Sequence, residues 1–262
     1  MNEESVKHPF IPNTPAAARV GPVLPLLPQF GRQDAAAVLI SEWRVDSAAR
    51  QRATLGAISV TWNARPWPAG LHDYAVFPSV DGRTLLHYSQ WTDGAAFDGF
   101  VQHQRDTRVD QIDAAVPGIE RYGLGRFRFY RSHVESAAGA ATGCLVAVRV
   151  EADSAERQRA WIDTVIEALA SARIPGLIAA HFHVCDDGRI VNLAQWESED
   201  AHIRAVEGNG GMAQREGSAW QRVRTMPGVT QKGVQRFHLP LLVGRTLAAE
   251  RAANDSQGGK HD

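Results

Sequence analysis

Cysteine is scarce: the 262 residues hold two, Cys144 and Cys185. Two thiols make neither a disulfide framework nor a zinc cluster of recognisable spacing. No charge of one sign dominates. Lys and Arg total 28 against 29 Asp and Glu, for a net charge of -1 and a pI near 6.8. That balance excludes an electrostatic nucleic-acid binder, whose phosphate contacts need a basic surplus. Long apolar runs are missing too. VGPVLPLLP at 20–28 is cut by prolines and is too short to span a membrane. The opening MNEESVKHPF lacks a basic stretch followed by an apolar core, so no secretory signal is read and a cytoplasmic home is expected. With 44% hydrophobic and 22% charged residues, the chain is a folding one, of one large domain or two small ones.

What is present is repetition. DSAARQRA at 46–53 recurs as DSAERQRA at 153–160, an offset of 107. Asp81-Gly82-Arg83 recurs at Asp187-Gly188-Arg189, and Gln90-Trp91 at Gln195-Trp196, at offsets of 106 and 105. Pro117-Gly118 and Arg126-Phe127 recur at Pro227-Gly228 and Arg236-Phe237, both at 110. Ordered landmarks with a drifting offset mark two copies of one unit of about 100 residues. The predicted organisation is a proline-rich arm (1–35), a first domain (36–133), a second domain (141–243) and a loose tail (244–262), with SHVESAAGAATG as the join.

Each unit reads the same way. A β-rich run (37–45; 144–152) is followed by Asp-Ser, a helix N-cap signal. Apolar residues at helical spacing follow: Leu55, Ile58 and Trp62, then Trp161, Val165, Ile166 and Leu169. A strand (72–80; 177–185), an Asp-Gly turn and a return strand (84–91; 190–196) predict a hairpin. A second helix and a last strand (125–130; 233–242) close the unit. The order βαββαβ is a ferredoxin-like α+β unit with helices on one face of an antiparallel sheet. The bare face needs a cover. The second copy can supply it, so two sheets packed face to face are expected.

VNLAQWESEDAH at 191–202, after Asp187-Gly188 and before Met226-Pro227-Gly228-Val229, resembles the antibiotic biosynthesis monooxygenase family, whose fold is the dimeric α+β barrel. LHYSQWTDGAAF at 86–97 matches the same pattern more loosely. The likeness covers most of 36–243, and the tandem arrangement resembles the branch acting on aromatic polyketides, including angucycline ring-opening oxygenases. The resemblance implies O2 as co-substrate and an aromatic polyketide as substrate. It also implies either no tightly bound cofactor or reduced flavin (FMNH2 or FADH2) delivered by a partner reductase. It implies no nucleic acid or membrane partner, and leaves open whether the fused pair forms a homodimer.

Carried over by position, the family's strand Asn and Trp fall on Asn192 and Trp196. A spacing of four puts both on one face of a strand. The family's His before the Asp-Gly turn falls on His183, its helix Arg near Arg215, and its Tyr on His202. These imply a catalytic set of His183, Asn192, Trp196 and Arg215. His202, His181, His72, His87 and Trp91 are the candidate substrate contacts. His87 stands at the Asn position of unit one, Phe97 at the Tyr position and Phe77 at the His position. The site is therefore expected in unit two, with a diverged unit-one site around His87 and His72 as the alternative. A His of near-neutral pKa would take a phenol proton, Asn would hold the charge that develops, and Trp would give a stacking wall.

His181 and His183 share a strand face, but two ligands at no recognisable spacing to a third make no metal site. Gly208-Asn209-Gly210-Gly211 lacks the Lys-Ser/Thr of a phosphate loop. Two rivals stand beside the flavin-assisted oxygenase. One is a cofactor-independent anthrone or quinol monooxygenase. The other is a non-catalytic ligand-binding or stress protein, which predicts a filled or shallow cavity beneath Trp196.

Overall fold

The computed structural model describes residues 27–135, 141–171, 173–207 and 219–243. The chain is α+β, with one antiparallel sheet and its helices. In the first half, β1 (Ala37–Arg44), α1 (Ala48–Asn63), β2 (Leu71–Pro78) and β3 (Thr84–Trp91) come first. They are followed by α2 (Gly94–Phe100), a π-helical turn (Val101–Arg105), α3 (Asp106–Ala115) and β4 (Glu120–Val134). The second half gives β5 (Cys144–Ala152), α4 (Ala155–Ser171), β6 (Leu177–Cys185) and β7 (Arg189–Trp196). Then come α5 (Glu199–Glu207), α6 (Ala219–Thr225), β8 (Val229–Phe237) and β9 (Leu241–Val243).

The strands lie in the order β8-β5-β7-β6-β4-β1-β3-β2-β9. The order fourth-first-third-second is thus repeated in each half. The halves are joined where β4 pairs with β6, Phe127 opposite Cys185 through Val134 opposite Ala179. They meet again where Ser79 bridges Phe237 and β9 pairs with β2. The predicted last strand of the first half, 125–130, is longer than expected. Its start pairs with β1 and its end with β6, so the chain stays extended through Ser132-His133-Val134, expected as the beginning of a linker. The predicted second helix of the first half runs unbroken through α2, the π-helical turn and α3, and that of the second half is described as α5 and α6.

Three cores follow from this geometry. Trp43, Ile58, Trp62, Trp91 and Phe100 pack between the first-half helices and their strands. Val146, Trp161, Ile162, Val165 and Trp196 do the same in the second half. Phe77, Tyr88, Phe127, Leu145, Leu193 and Phe237 draw both halves into a third core, which Phe30 of the arm enters.

The repeated DSAxRQRA motif has a structural meaning. Ser47 Oγ accepts from Arg50 N–H and Ser154 Oγ from Arg157 N–H, each capping its helix. Buried Gln51 then donates to the carbonyls of Ser79 and Thr84, and buried Gln158 to those of Cys185 and Arg189. Each Gln clamps its helix to both ends of the neighbouring Asp-Gly turn, adding a second donor to carbonyls such as those of Ser79, Thr84 and Cys185 that the turn's own N–H groups also reach.

The turn glycines are required. Gly188 has φ +95°, and a Cβ there would lie 2.4 Å from the Ala152 carbonyl oxygen. Gly82 has φ +74°, with a Cβ 2.7 Å from that of Ala48. Gly188→Ala is expected to cost about 1–3 kcal/mol or more, because backbone strain adds to a clash with an atom that cannot rotate away. Urea unfolding checks this, and an unchanged midpoint would contradict it. Among the described residues no helix is long and apolar enough to cross a membrane.

Candidate functional site

Among the described residues, each half lines a cavity between its helices and the helix-covered face of the sheet. The second-half cavity is about 380 Å³ and is lined by Val148, Trp161, Ala180, Asn192, Trp196, His202, Trp220, Arg224 and Arg236, among others. The first-half cavity is about 200 Å³, with His87, Trp91 and Phe97 at the repeat-matched positions.

In the second half the strand alternation places Asn192, Ala194 and Trp196 on one face, as expected. Asn192 Oδ1, Trp196 Nε1 and Trp220 Nε1 are all buried and have no hydrogen-bond partner among the described residues. Buried polar groups are ordinarily paired, so three unpaired ones around one cavity mark positions for a ligand's own polar atoms. The contrast with the first half is instructive. Trp91 Nε1 donates to Ser89 Oγ at 2.9 Å. The residue matching Ser89 is Ala194, so the second-half indole has no internal acceptor.

His202 is buried, not solvated on the helix surface. Its Nδ1 accepts from Arg236 Nε–H at 2.9 Å, and its ring meets Trp196 edge-on at 4.9 Å. A guanidinium cannot accept, so Nδ1 is the bare nitrogen and Nε2 carries the proton. Arg236 also pairs with Glu207 at 3.4 Å.

His183 does not join this group. Phe182, not His183, stands opposite Asn192 in the β6–β7 register. Successive side chains alternate faces, so His181 and His183 lie on the other side of the sheet. There His183 Nε2 is 3.3 Å from the Tyr88 hydroxyl, His181 Nδ1 is 2.7 Å from Ser132 Oγ, and Phe30 stacks against His181. His183, expected in the catalytic set, and His181, expected as a substrate contact, thus lie on the sheet face away from the cavity that Asn192 and Trp196 line. His72 and His87 do not meet either. His72 is part-exposed and bonds the Asp34 carbonyl, while His87 Nδ1 is 2.7 Å from the Tyr74 hydroxyl. Arg215 lies outside the described residues. Trp220, Arg236 and Trp161 were not predicted as site residues. The repeated Arg-Phe landmark was the one available signal, and it pointed to Arg236.

The buried histidines are weak bases. Burial pushes His183 and His87 down to about 3, with His181 and Arg121 respectively adding repulsion. Burial brings His181 to about 4, and burial plus the Arg236 charge brings His202 to about 4. The near-neutral catalytic His expected from sequence is therefore absent from this set. A consequence is measurable. Each imidazole is neutral in the fold but takes a proton near pH 6.5 once unfolded. Their contribution to stability is thus complete above about 6.5 and is lost as pH falls toward about 3. Thermal midpoints recorded from pH 7.5 downward should fall progressively below about 6.5. His183→Gln should flatten that slope, and an unchanged slope would count against it.

No family model matches the chain, and no curated protein matches it. Solved structures do. An anthrone oxidase-like protein is 16% identical, with a TM-score of 0.61, over 81% of this chain and 95% of that one. A candidate monooxygenase from Lactobacillus acidophilus NCFM is 9% identical, with a TM-score of 0.50, over 80% of this chain and 97% of that one. At these identities the likeness establishes the fold: this chain shares its α+β antiparallel architecture with proteins described as anthrone oxidase-like and monooxygenase.

Proposed function

We propose that the two halves are a fused pair of one βαββαβ unit, closed face to face as an α+β barrel, and that the protein is an oxygenase of phenolic fused-ring aromatics of the aromatic polyketide type. The observation that carries this reading is the second-half cavity with its unpaired set: two indole N–H donors and the Asn192 side-chain oxygen. A flat molecule bearing a hydroxyl beside a carbonyl matches that set. Its hydroxyl meets Asn192 Oδ1, its carbonyl the indole N–H groups, and its rings the walls of Trp161 and Trp196.

The chemistry follows from what such a cavity stabilises. A phenol or anthrone reacts with O2 more readily once ionised. His202 carries its proton on Nε2 and is a weak base, so it donates rather than abstracts. With the Trp196 and Trp220 N–H groups, it lowers the cost of negative charge that spreads onto the substrate's carbonyl oxygen, while Asn192 Oδ1 orients the hydroxyl before its proton leaves. The proton leaves to water. For an anthrone, O2 then converts the ring CH2 to a carbonyl, with one oxygen atom in the product and the other released as water.

The size of the cavity supports the cofactor-independent reading over the flavin-assisted one. At about 380 Å³ the cavity lies at the low end for one drug-sized ligand. That volume suits one fused-ring molecule better than an aromatic substrate and an isoalloxazine ring together. The cofactor-independent reading is therefore preferred. The cavity beneath Trp196 also disfavours the non-catalytic rival, which requires it to be filled or shallow.

The test is oxygen uptake with an anthrone or a hydroxylated fused-ring polyketide, with and without reduced flavin and a reductase. Turnover without flavin is expected, and turnover only with flavin would overturn the cofactor-free reading. Ala194→Ser should give Trp196 the internal partner that Trp91 has. It is expected to raise KM by roughly tenfold without loss of thermal stability, the worth of about one hydrogen bond. An unchanged KM would mean that Trp196 Nε1 does not touch the substrate.

A further inference from the structure

The first-half cavity differs in chemistry from its repeat mate. Its walls are aromatic: Trp43, Trp62, Tyr74, Trp91, Phe97 and Phe100. Among the described residues three arginines line it, Arg105, Arg108 and Arg121, and no acidic side chain does. Arg121 pairs with Asp113 at 2.6 Å and Arg105 with Asp106 at 3.2 Å. Buried Arg108 instead donates to neutral groups, the Pro66 carbonyl and the Gln104 carbonyl and amide oxygens. His87 is 6% exposed, and its Nε2 has no partner among the described residues, nor have Nε of Arg108 and Nε of Arg121. The Tyr74 hydroxyl proton has His87 Nδ1, at 2.7 Å, as its one acceptor among the described residues, which assigns Nδ1 as the acceptor and His87 Nε2 as the N–H. Three N–H donors without acceptors thus surround one aromatic-walled space. The π-helical turn Val101–Arg105 brings Arg105 to the same wall. Such turns are frequent at functional sites.

We propose that this cavity is a second ligand site, built for a one- or two-ring aromatic carboxylate. Size, charge and shape argue together. At about 200 Å³ it is too small for the fused-ring molecule suited to the second half. It exceeds the roughly 150 Å³ that accommodates benzene in a dry engineered cavity. The net positive lining calls for an anion, three unpaired donors call for a group with several lone pairs, and flat walls call for an aromatic ring. This site stands independently of the oxygenase reading.

The probe is 2-naphthoate, titrated calorimetrically into the full chain. One site per chain is expected. His87→Leu should weaken binding roughly tenfold or more, while Asn192→Leu leaves it unchanged. The neutral 2-naphthamide should bind roughly tenfold more weakly or worse. Absence of binding, equal binding of the amide, or loss in Asn192→Leu but not in His87→Leu would each overturn the proposal. Should His87→Leu fail to fold, hydrogen exchange on the wild-type chain decides. Protection by 2-naphthoate is expected over 101–112 and not over 219–225, and the reverse pattern would overturn it.

Discussion

Asn192→Leu is expected to lower kcat/KM on a phenolic fused-ring substrate by roughly 10²-fold, the cost of losing the group that orients the substrate hydroxyl. The fold should not suffer. Asn192 is 9% exposed, and its Oδ1 has no partner among the described residues. Leu therefore replaces an unsatisfied polar group with an apolar one of similar shape, a change that is nearly neutral or stabilising. The combination of lost turnover and an unchanged or raised thermal midpoint separates a ligand contact from a structural residue. A variant that keeps turnover within threefold of wild type would remove the second-half cavity as the active site. Loss of turnover in His87→Leu instead would move the chemistry to the first half.

Phe237→Ala is expected to destabilise the whole chain by about 3–5 kcal/mol, as for a large aromatic cut from a tight core. Phe237 is fully buried, and it sits in the core that draws on both halves. Its backbone also bridges Ser79, with Val80 N–H donating to the Arg236 carbonyl and His238 N–H to that of Pro78. Truncation therefore loosens the seam between the halves as well as leaving a void. Chemical denaturation should show one cooperative transition at lower denaturant, because neither half keeps its inner face covered alone. Two separated transitions in the variant, one at the wild-type midpoint, would show that the halves fold independently.

Much of this was legible because repetition and period are local. The Asp-Ser caps, the Asp-Gly turns and the four-residue spacing of Asn192 and Trp196 needed only short-range rules. The difference between the copies was legible as well. His87 against Asn192, Phe97 against His202, and Ser89 against Ala194 stand in matched places, and they give the two cavities different linings.

Other features were closed to sequence for a physical reason. A hairpin's register is set by the geometry of its turn, and a slip of one residue exchanges the faces of a strand. His183 was placed with Asn192 on alignment alone. The register put Phe182 there instead and sent both histidines of β6 into the shared core, where burial makes them weak bases. Contacts across long separations were equally hidden. Arg236 reaches His202 across 34 residues. Trp220 is brought to the cavity by the packing of α6 on α4, where Trp161 donates to the Val223 carbonyl. The sequence by itself determined the α+β class, the strand that carries Asn192 and Trp196, and the differences at the matched positions, because these depend on spacing along the chain. The tertiary structure alone decided which side of the sheet each histidine faces and which buried donors lack partners, because both depend on groups distant in sequence that only folding brings together.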